Sequence, residues 1–193
     1  MKRQFKQRLL LVGVFAIFFV PVITAIVLRA NPSFIGGFHT TNRGQLLSEA
    51  RKITLPVAKS VGVDAHEALR FQDKWTLLTL NQGTCESSCR QRLTALYTAH
   101  TATNKDINRV QRILLLPQGV ENVEITRAFP ALKVFQVNKA WAESMTDEKD
   151  PFGIGKTYVI DPRGFLFLLY SDPVKARDIL QDLKRLLKIS KLG

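Results

Sequence analysis

Cysteine and histidine are scarce: 193 residues hold two cysteines and three histidines. A structural zinc site takes about four such ligands, so a lone cysteine pair argues against one. No GxSxG, HExxH, P-loop or paired-glycine nucleotide fingerprint occurs, which leaves hydrolytic and nucleotide-driven readings without an anchor. Acidic residues are missing from the start of the chain, where none precedes Glu49, and positions 9–28 carry no charge at all. The length suits one domain plus an anchor rather than two domains with a linker. With 46% hydrophobic and 23% charged residues, wholesale disorder and fibrous repeats are also set aside.

What the N-terminal quarter does contain is a basic start, Lys2, Arg3, Lys6 and Arg8, followed by LLLVGVFAIFFVPVITAIVL. Twenty helical residues at about 1.5 Å each span the roughly 30 Å hydrocarbon layer. Pro21 removes one helical hydrogen bond, which membrane helices tolerate. A cleaved signal peptide is the competing reading. The run is longer than the usual apolar segment of about 7–15 residues, and Leu28, Arg29 and Ala30 make a poor cleavage site. Four cations before the span and Arg29 alone close behind it keep the N-terminus in the cytoplasm. The expectation is a single-pass bacterial inner-membrane protein with a periplasmic domain, although the same topology suits a mitochondrial inner membrane. Setting aside the four cytoplasmic cations, the net charge of +12 leaves +8 beyond them. Topology removes nucleic acid as a partner and points that charge at anionic lipid or an acidic protein.

Residues 31–42, NPSFIGGFHTTN, read as a tether, and 43–66 are ambiguous. WTLLTL at 75–80 predicts a buried strand, NQGT a turn, and CESSCRQRLTALYTAH a helix. VQRILLL at 110–116 predicts a second buried strand, giving a parallel βαβ unit. LKVFQV at 132–137 fits a strand or part of a helix. Residues 157–160 and 165–170 flank DPRG, whose Asp161, Pro162 and Gly164 suit a type I turn, so they predict an antiparallel hairpin. At 174–189, Ile179, Leu180, Leu183, Leu186 and Leu187 fall on one helical face opposite Lys and Arg. The order implies an α/β, thioredoxin-like mixed sheet with helices on both faces. The expected divisions are a basic cytoplasmic tail (1–8), the transmembrane helix (9–28), a tether and domain entry (29–70) and the extracytoplasmic domain (71–193).

Cys85 and Cys89 lie four apart where strand gives way to helix. In an oxidising compartment a close pair signals a disulfide or a redox dithiol. Two helical residues at this spacing hold their Cβ atoms about 5–6 Å apart, beyond the roughly 3.5–4.5 Å of a disulfide, so an oxidised pair requires Cys85 in the turn before the helix. A loop this short stabilises by only about 2 kcal/mol, which favours chemistry over stapling. Helix-start N–H groups, Arg90 and Arg92 favour a thiolate, and Glu86 opposes it. Thiolates at this place attack disulfides or bind Cu(I); an inert disulfide is the plain alternative.

The segments DKWTLLTLNQGTCESSC and TYVIDPRGFLFLLY, with the single-span topology, resemble the Sco/SenC family of membrane-anchored, thioredoxin-like cytochrome oxidase assembly proteins. The resemblance covers residues 71–193. It implies a role in oxidase biogenesis, with an oxidase subunit or another assembly factor as partner. Copper-binding members use both motif cysteines and a histidine ahead of the hairpin; here KDPFGIGKTYVID has Gly153 near that place. Glu86 stands where the family has proline, and Gly155 and Lys156 stand where ordinary thioredoxins place a cis-proline. His39, in the tether, and His100, about three helical turns past Cys89, are poor replacements. His66 is the least excluded. Asp147, Glu148 and Asp150 read as a solvated acidic loop, and Trp75 and Trp141 as packing residues.

Three functions follow as expectations. The first is thiol–disulfide exchange on the oxidase copper-site cysteines, with Cys85 attacking and Cys89 resolving, and no cofactor required. The second is a copper carrier using Cys85, Cys89 and a further ligand from His66, Met145 or the partner. The third is a scaffold whose thiols are structural.

Overall fold

The computed structural model describes residues 2–31, 42–56, 58–61, 68–120, 123–144, 153 and 155–190. The chain forms two compact units, Met1–Thr41 and Asn42–Gly193. In the first, α1 (Lys2–Ala30) contains a stretch, Leu10–Ala30, long and apolar enough to cross a membrane, with none of it buried against protein. Pro21 sits inside the helix without ending it.

The second unit is built on a seven-stranded mixed sheet. Its elements run β1 (Gln45–Lys52), β2 (Ala58–Val61), β3 (Trp75–Leu80), α2 (Ser87–Thr101), β4 (Val110–Pro117), α3 (Val123–Ala128), β5 (Leu132–Val137), α4 (Lys139–Ser144), β6 (Lys156–Ile160), β7 (Phe165–Ser171) and α5 (Ala176–Ile189). The order across the sheet is β1-β7-β6-β3-β4-β5-β2. β3, β4 and β5 are parallel, with Trp75 opposite Val110 and Leu114 opposite Val134, whereas β6 runs antiparallel to β3. The ambiguous 43–66 stretch thus supplies both edge strands: β1 on β7 and β2 on β5. LKVFQV is a strand because β4 and β2 pair with it from either side.

The β6–β7 hairpin turns where the sequence placed it. Gly164 has φ +90° and donates its N–H to the Asp161 carbonyl at 2.9 Å. The Asp161 carboxylate accepts the N–H groups of Arg163 (2.9 Å) and Phe165 (2.8 Å), an Asx-type closure that holds the strands in register.

Strand alternation divides the core in two. On one face Leu77, Leu114, Val134 and Val159 pack with Leu93 and Leu96 of α2 and Ile179, Leu183 and Leu187 of α5. On the other, Leu78, Ile113, Phe135 and Tyr158 pack with Phe71, Leu69 and Ile53. The expectation that α2 and α5 lie on opposite faces is therefore corrected: their apolar stripes share one core. The second face is covered by chain preceding β3 and by Trp141 of α4, whose Nε1–H donates to the Thr54 carbonyl at 2.9 Å.

Two buried polar groups carry the greatest burden. Arg112, in β4, is fully buried; its Nη2 donates to the Pro130 carbonyl and its guanidinium lies 5.0 Å from the Tyr97 ring centroid. Among the described residues its Nε and Nη1 have no hydrogen-bond partner, and burial lowers its pKa. Asp182, in α5, is also fully buried but well satisfied. It accepts the N–H of Arg43 (2.8 Å), the N–H of Gly44 (2.8 Å) and the hydroxyl of Tyr170 (2.7 Å).

Candidate redox site

β3 ends at Leu80, and the chain turns under its own side-chain control. Asn81 Nδ2 donates to the carbonyls of Gly83 and Thr84, both at 3.1 Å, and its backbone N–H donates to the Leu115 carbonyl at 3.0 Å. This fixes residues 81–84 against β4. Cys85 follows, Glu86 sits in an extended conformation, and α2 begins at Ser87. Glu86 makes no side-chain cap, so the helix start lacks the usual acceptor for its free N–H groups.

Cys85 and Cys89 are bonded to each other, with Cα atoms 5.2 Å apart. Cys85 precedes the helix and Cys89 lies in its first turn, the placement that a bridged pair at this spacing requires. Both are packed into the α2 face of the core, Cys85 at 4% exposure and Cys89 at 1%. Cys85 is the member of the pair that lies outside the helix.

The cations expected to favour a thiolate are otherwise committed. Arg90 pairs with Glu124 of α3 at 3.4 Å on the surface. Arg92, three residues after Cys89, is buried; its Nε and Nη2 donate to the two carboxylate oxygens of Asp172 at 3.0 and 2.7 Å, and its Nη1 donates to Thr79 Oγ1 at 3.1 Å. Thr79 in turn donates to the Lys156 carbonyl at 3.1 Å. Arg92 thus ties the cysteine-bearing helix to the end of β3, the start of β6 and the chain after β7. Sequence reading counted Arg92 only as a charge. The fork geometry and the partner were invisible because Asp172 lies 80 positions away.

Gly153, near the place where the copper-binding family has its histidine, brings no ligand side chain. Gly153 N–H donates to the Tyr158 hydroxyl at 2.8 Å, and Gly155 has φ +75° beside Asp172 and Arg92. His100 is no replacement: its Nε2 donates to the carbonyls of Ile107 (3.1 Å) and Val110 (3.0 Å). Burial, then the Arg112 charge, lower its pKa. His39, His66, Met145 and the acidic residues 147, 148 and 150 lie outside the described residues. Among the described residues no three His, Cys, Asp or Glu side chains form a metal cluster. The two sulfurs become ligands only when their bond is reduced, and among the described residues no third His, Cys, Asp or Glu side chain is grouped with them, so these residues alone do not complete a three-ligand copper site. Trp75 is buried edge-on to Phe167, as a packing residue.

Residues 75–190 match the family model described as transmembrane-like, thioredoxin-like, C-terminal domain, and the chain belongs to that family. Nothing among the curated proteins matches it. Among solved structures it is similar to the apo Sco1 protein from Thermus thermophilus, at 25% identity and TM-score 0.53 over 78% of this chain and 99% of that one. A thiol:disulfide interchange protein from Bacteroides sp. shares the fold at 12% identity and TM-score 0.53, covering 75% and 93% of the two chains. ScoI from Arabidopsis thaliana, solved with copper bound, shares it at 14% identity and TM-score 0.50, covering 62% and 88%. The domain is a Sco/SenC-like thioredoxin fold.

Proposed function

We propose that this member of the transmembrane-like, thioredoxin-like family is a membrane-anchored dithiol that exchanges electrons with the disulfide of a partner protein at the bacterial inner membrane, on its periplasmic side. The observation that carries the reading is the bond between Cys85 and Cys89, formed across the strand-to-helix turn with Cys85 ahead of the helix and Cys89 in its first turn. The partner we infer, from the Sco/SenC likeness, is the copper-site cysteine pair of a cytochrome oxidase subunit.

In the reduced protein the Cys85 thiolate attacks a partner disulfide, forming a mixed disulfide and releasing one partner thiolate. The Cys89 thiolate then attacks the Cys85 sulfur, closing the Cys85–Cys89 bond and releasing the second partner thiolate. Two electrons pass to the partner, and the bonded pair described above is the oxidised product. A thiol donor must reduce it again. Both sulfurs are buried, so each exchange requires the 81–86 turn to open.

Trapping tests the assignment. With Cys89→Ser, a mixed disulfide through Cys85 accumulates and is resolved by mass spectrometry; with Cys85→Ser it does not. Equal trapping by both variants, or by neither, overturns these roles. If the double Cys→Ser chain restores oxidase assembly in a strain lacking the protein, the thiols are structural and the scaffold reading replaces this one.

A further inference from the structure

α5 presents two unlike faces. Ile179, Leu183 and Leu187 are buried in the core, whereas Arg177, Lys184 and Lys188 are exposed. Steps of seven and four residues align those three cations in one stripe along the helix. Lys175, just before the helix, is exposed as well, and among the described residues none of the four is held in an ion pair. The acids of α5 do not cancel the stripe. Asp182 is buried on Arg43, Gly44 and Tyr170, and Asp178 lines a cleft beside Arg43 and Lys175. At the end of the stripe Ile189 is 82% exposed, a large apolar side chain next to Lys188. That end is tied down by Arg109, whose Nη1 and Nη2 donate to the carbonyls of Leu187 (3.1 Å) and Ser190 (2.7 Å).

The chain also enters the domain alongside this helix. Arg43 donates its Nε–H to Gln181 Oε1 at 3.1 Å and its backbone N–H to Asp182. Between Asn31 and Asn42 the connection reaches at most about 40 Å when fully extended. An apolar span so close in sequence holds the domain at high effective concentration over one surface, the bilayer. A row of cations with an apolar end is the pattern of an interfacial helix on anionic headgroups.

We propose that the exposed face of α5, formed by Arg177, Lys184, Lys188 and Ile189, rests on the anionic lipid headgroups of the bilayer that holds the Leu10–Ala30 span. The proposal depends on that span being a membrane anchor, as the proposed function does, but not on the chemistry of the cysteines.

The full-length chain, reconstituted in nanodiscs of phosphatidylcholine with or without phosphatidylglycerol, is labelled with a membrane-impermeant amine reagent and read lysine by lysine by mass spectrometry. Lys184 and Lys188 should label about fivefold more slowly in the anionic discs. About 1 M salt should abolish the difference by screening. Lys59, exposed on the strand at the other sheet edge, should not change. Arg177→Glu should weaken the protection of both lysines with the far-UV spectrum unchanged. Equal labelling in the two lipids overturns the proposal and leaves the stripe to an acidic protein. A chain that fails to co-purify with either disc overturns the anchor itself, and the proposal with it.

Discussion

Arg92 grips Asp172 through its Nε and Nη2, at 3.0 and 2.7 Å, three residues past Cys89. The arginine is buried and the carboxylate partly open, so the pair closes the core behind the disulfide rather than decorating the surface. Removing the acid leaves an uncompensated charge inside. Asp172→Ala should destabilise by about 2 kcal/mol, less than a fully buried pair because Asp172 keeps some water. Arg92→Lys should recover little, since an ammonium cannot reproduce the fork. Urea unfolding of the single and double variants gives the coupling energy, and additive losses would dissolve the pair's role.

Arg112 makes the opposite case. It is buried with two guanidinium nitrogens unpartnered among the described residues, and the Tyr97 ring and one carbonyl are its main compensation. Replacing such a group by an apolar side chain of similar volume is often neutral or stabilising. Arg112→Met should raise stability by about 1 kcal/mol in chemical unfolding; a loss of similar size would mean that the ring contact and the Pro130 bond outweigh desolvation.

The entry of the chain into the domain is fitted to Tyr170. A Cβ on Gly44 would lie 2.7 Å from Tyr170 Cζ, so no side chain fits while the ring is there. Gly44→Ala should cost about 1–3 kcal/mol, the range for overpacking a filled site. Combining it with Tyr170→Leu should give less than the sum of the two single losses. Additive losses in thermal unfolding would rule out that clash.

Tyr170 also sets an alkaline limit. Burial first, then its hydrogen bond to Asp182, raise its pKa far above the ordinary 10.0. The unfolded chain releases this proton near pH 10 while the folded one keeps it, so stability is complete below that value and falls as pH rises through it. Tyr170→Phe should flatten the decline in unfolding free energy above pH 10, at the price of a lower plateau from the lost hydrogen bond.

His100 sets an acid limit by the reverse sign. Its folded-state pKa lies below 6.5, so on acidification the unfolded chain binds a proton first and stability falls below that pH. His100→Gln should show a smaller drop in melting temperature between pH 7.5 and pH 5 than the parent. An identical drop would assign the acid sensitivity to the carboxylates.

Local pattern carried much of this molecule. Twenty uncharged residues behind four cations mark the span, the six-residue run WTLLTL has no polar face to expose, and Asp-Pro-Arg-Gly turns because each residue suits its place. The cysteine spacing likewise forces Cys85 out of the helix if the pair is bonded, since covalent geometry leaves no alternative. These features depend on neighbours within a few residues. Other features depend on residues brought together from far apart. Asp182 meets Arg43 across 139 positions and Arg92 meets Asp172 across 80, and no periodicity announces either. LKVFQV became a strand by being paired on both sides, QLLSEARK and AKSV became the sheet's edges, and α2 and α5 came to share one core. Sequence determined which segments had apolar surface to bury and where the thiols stood; the tertiary structure decided which surfaces met and which charges were left facing outward, because hydrophobic burial is non-directional and only packing selects among partners.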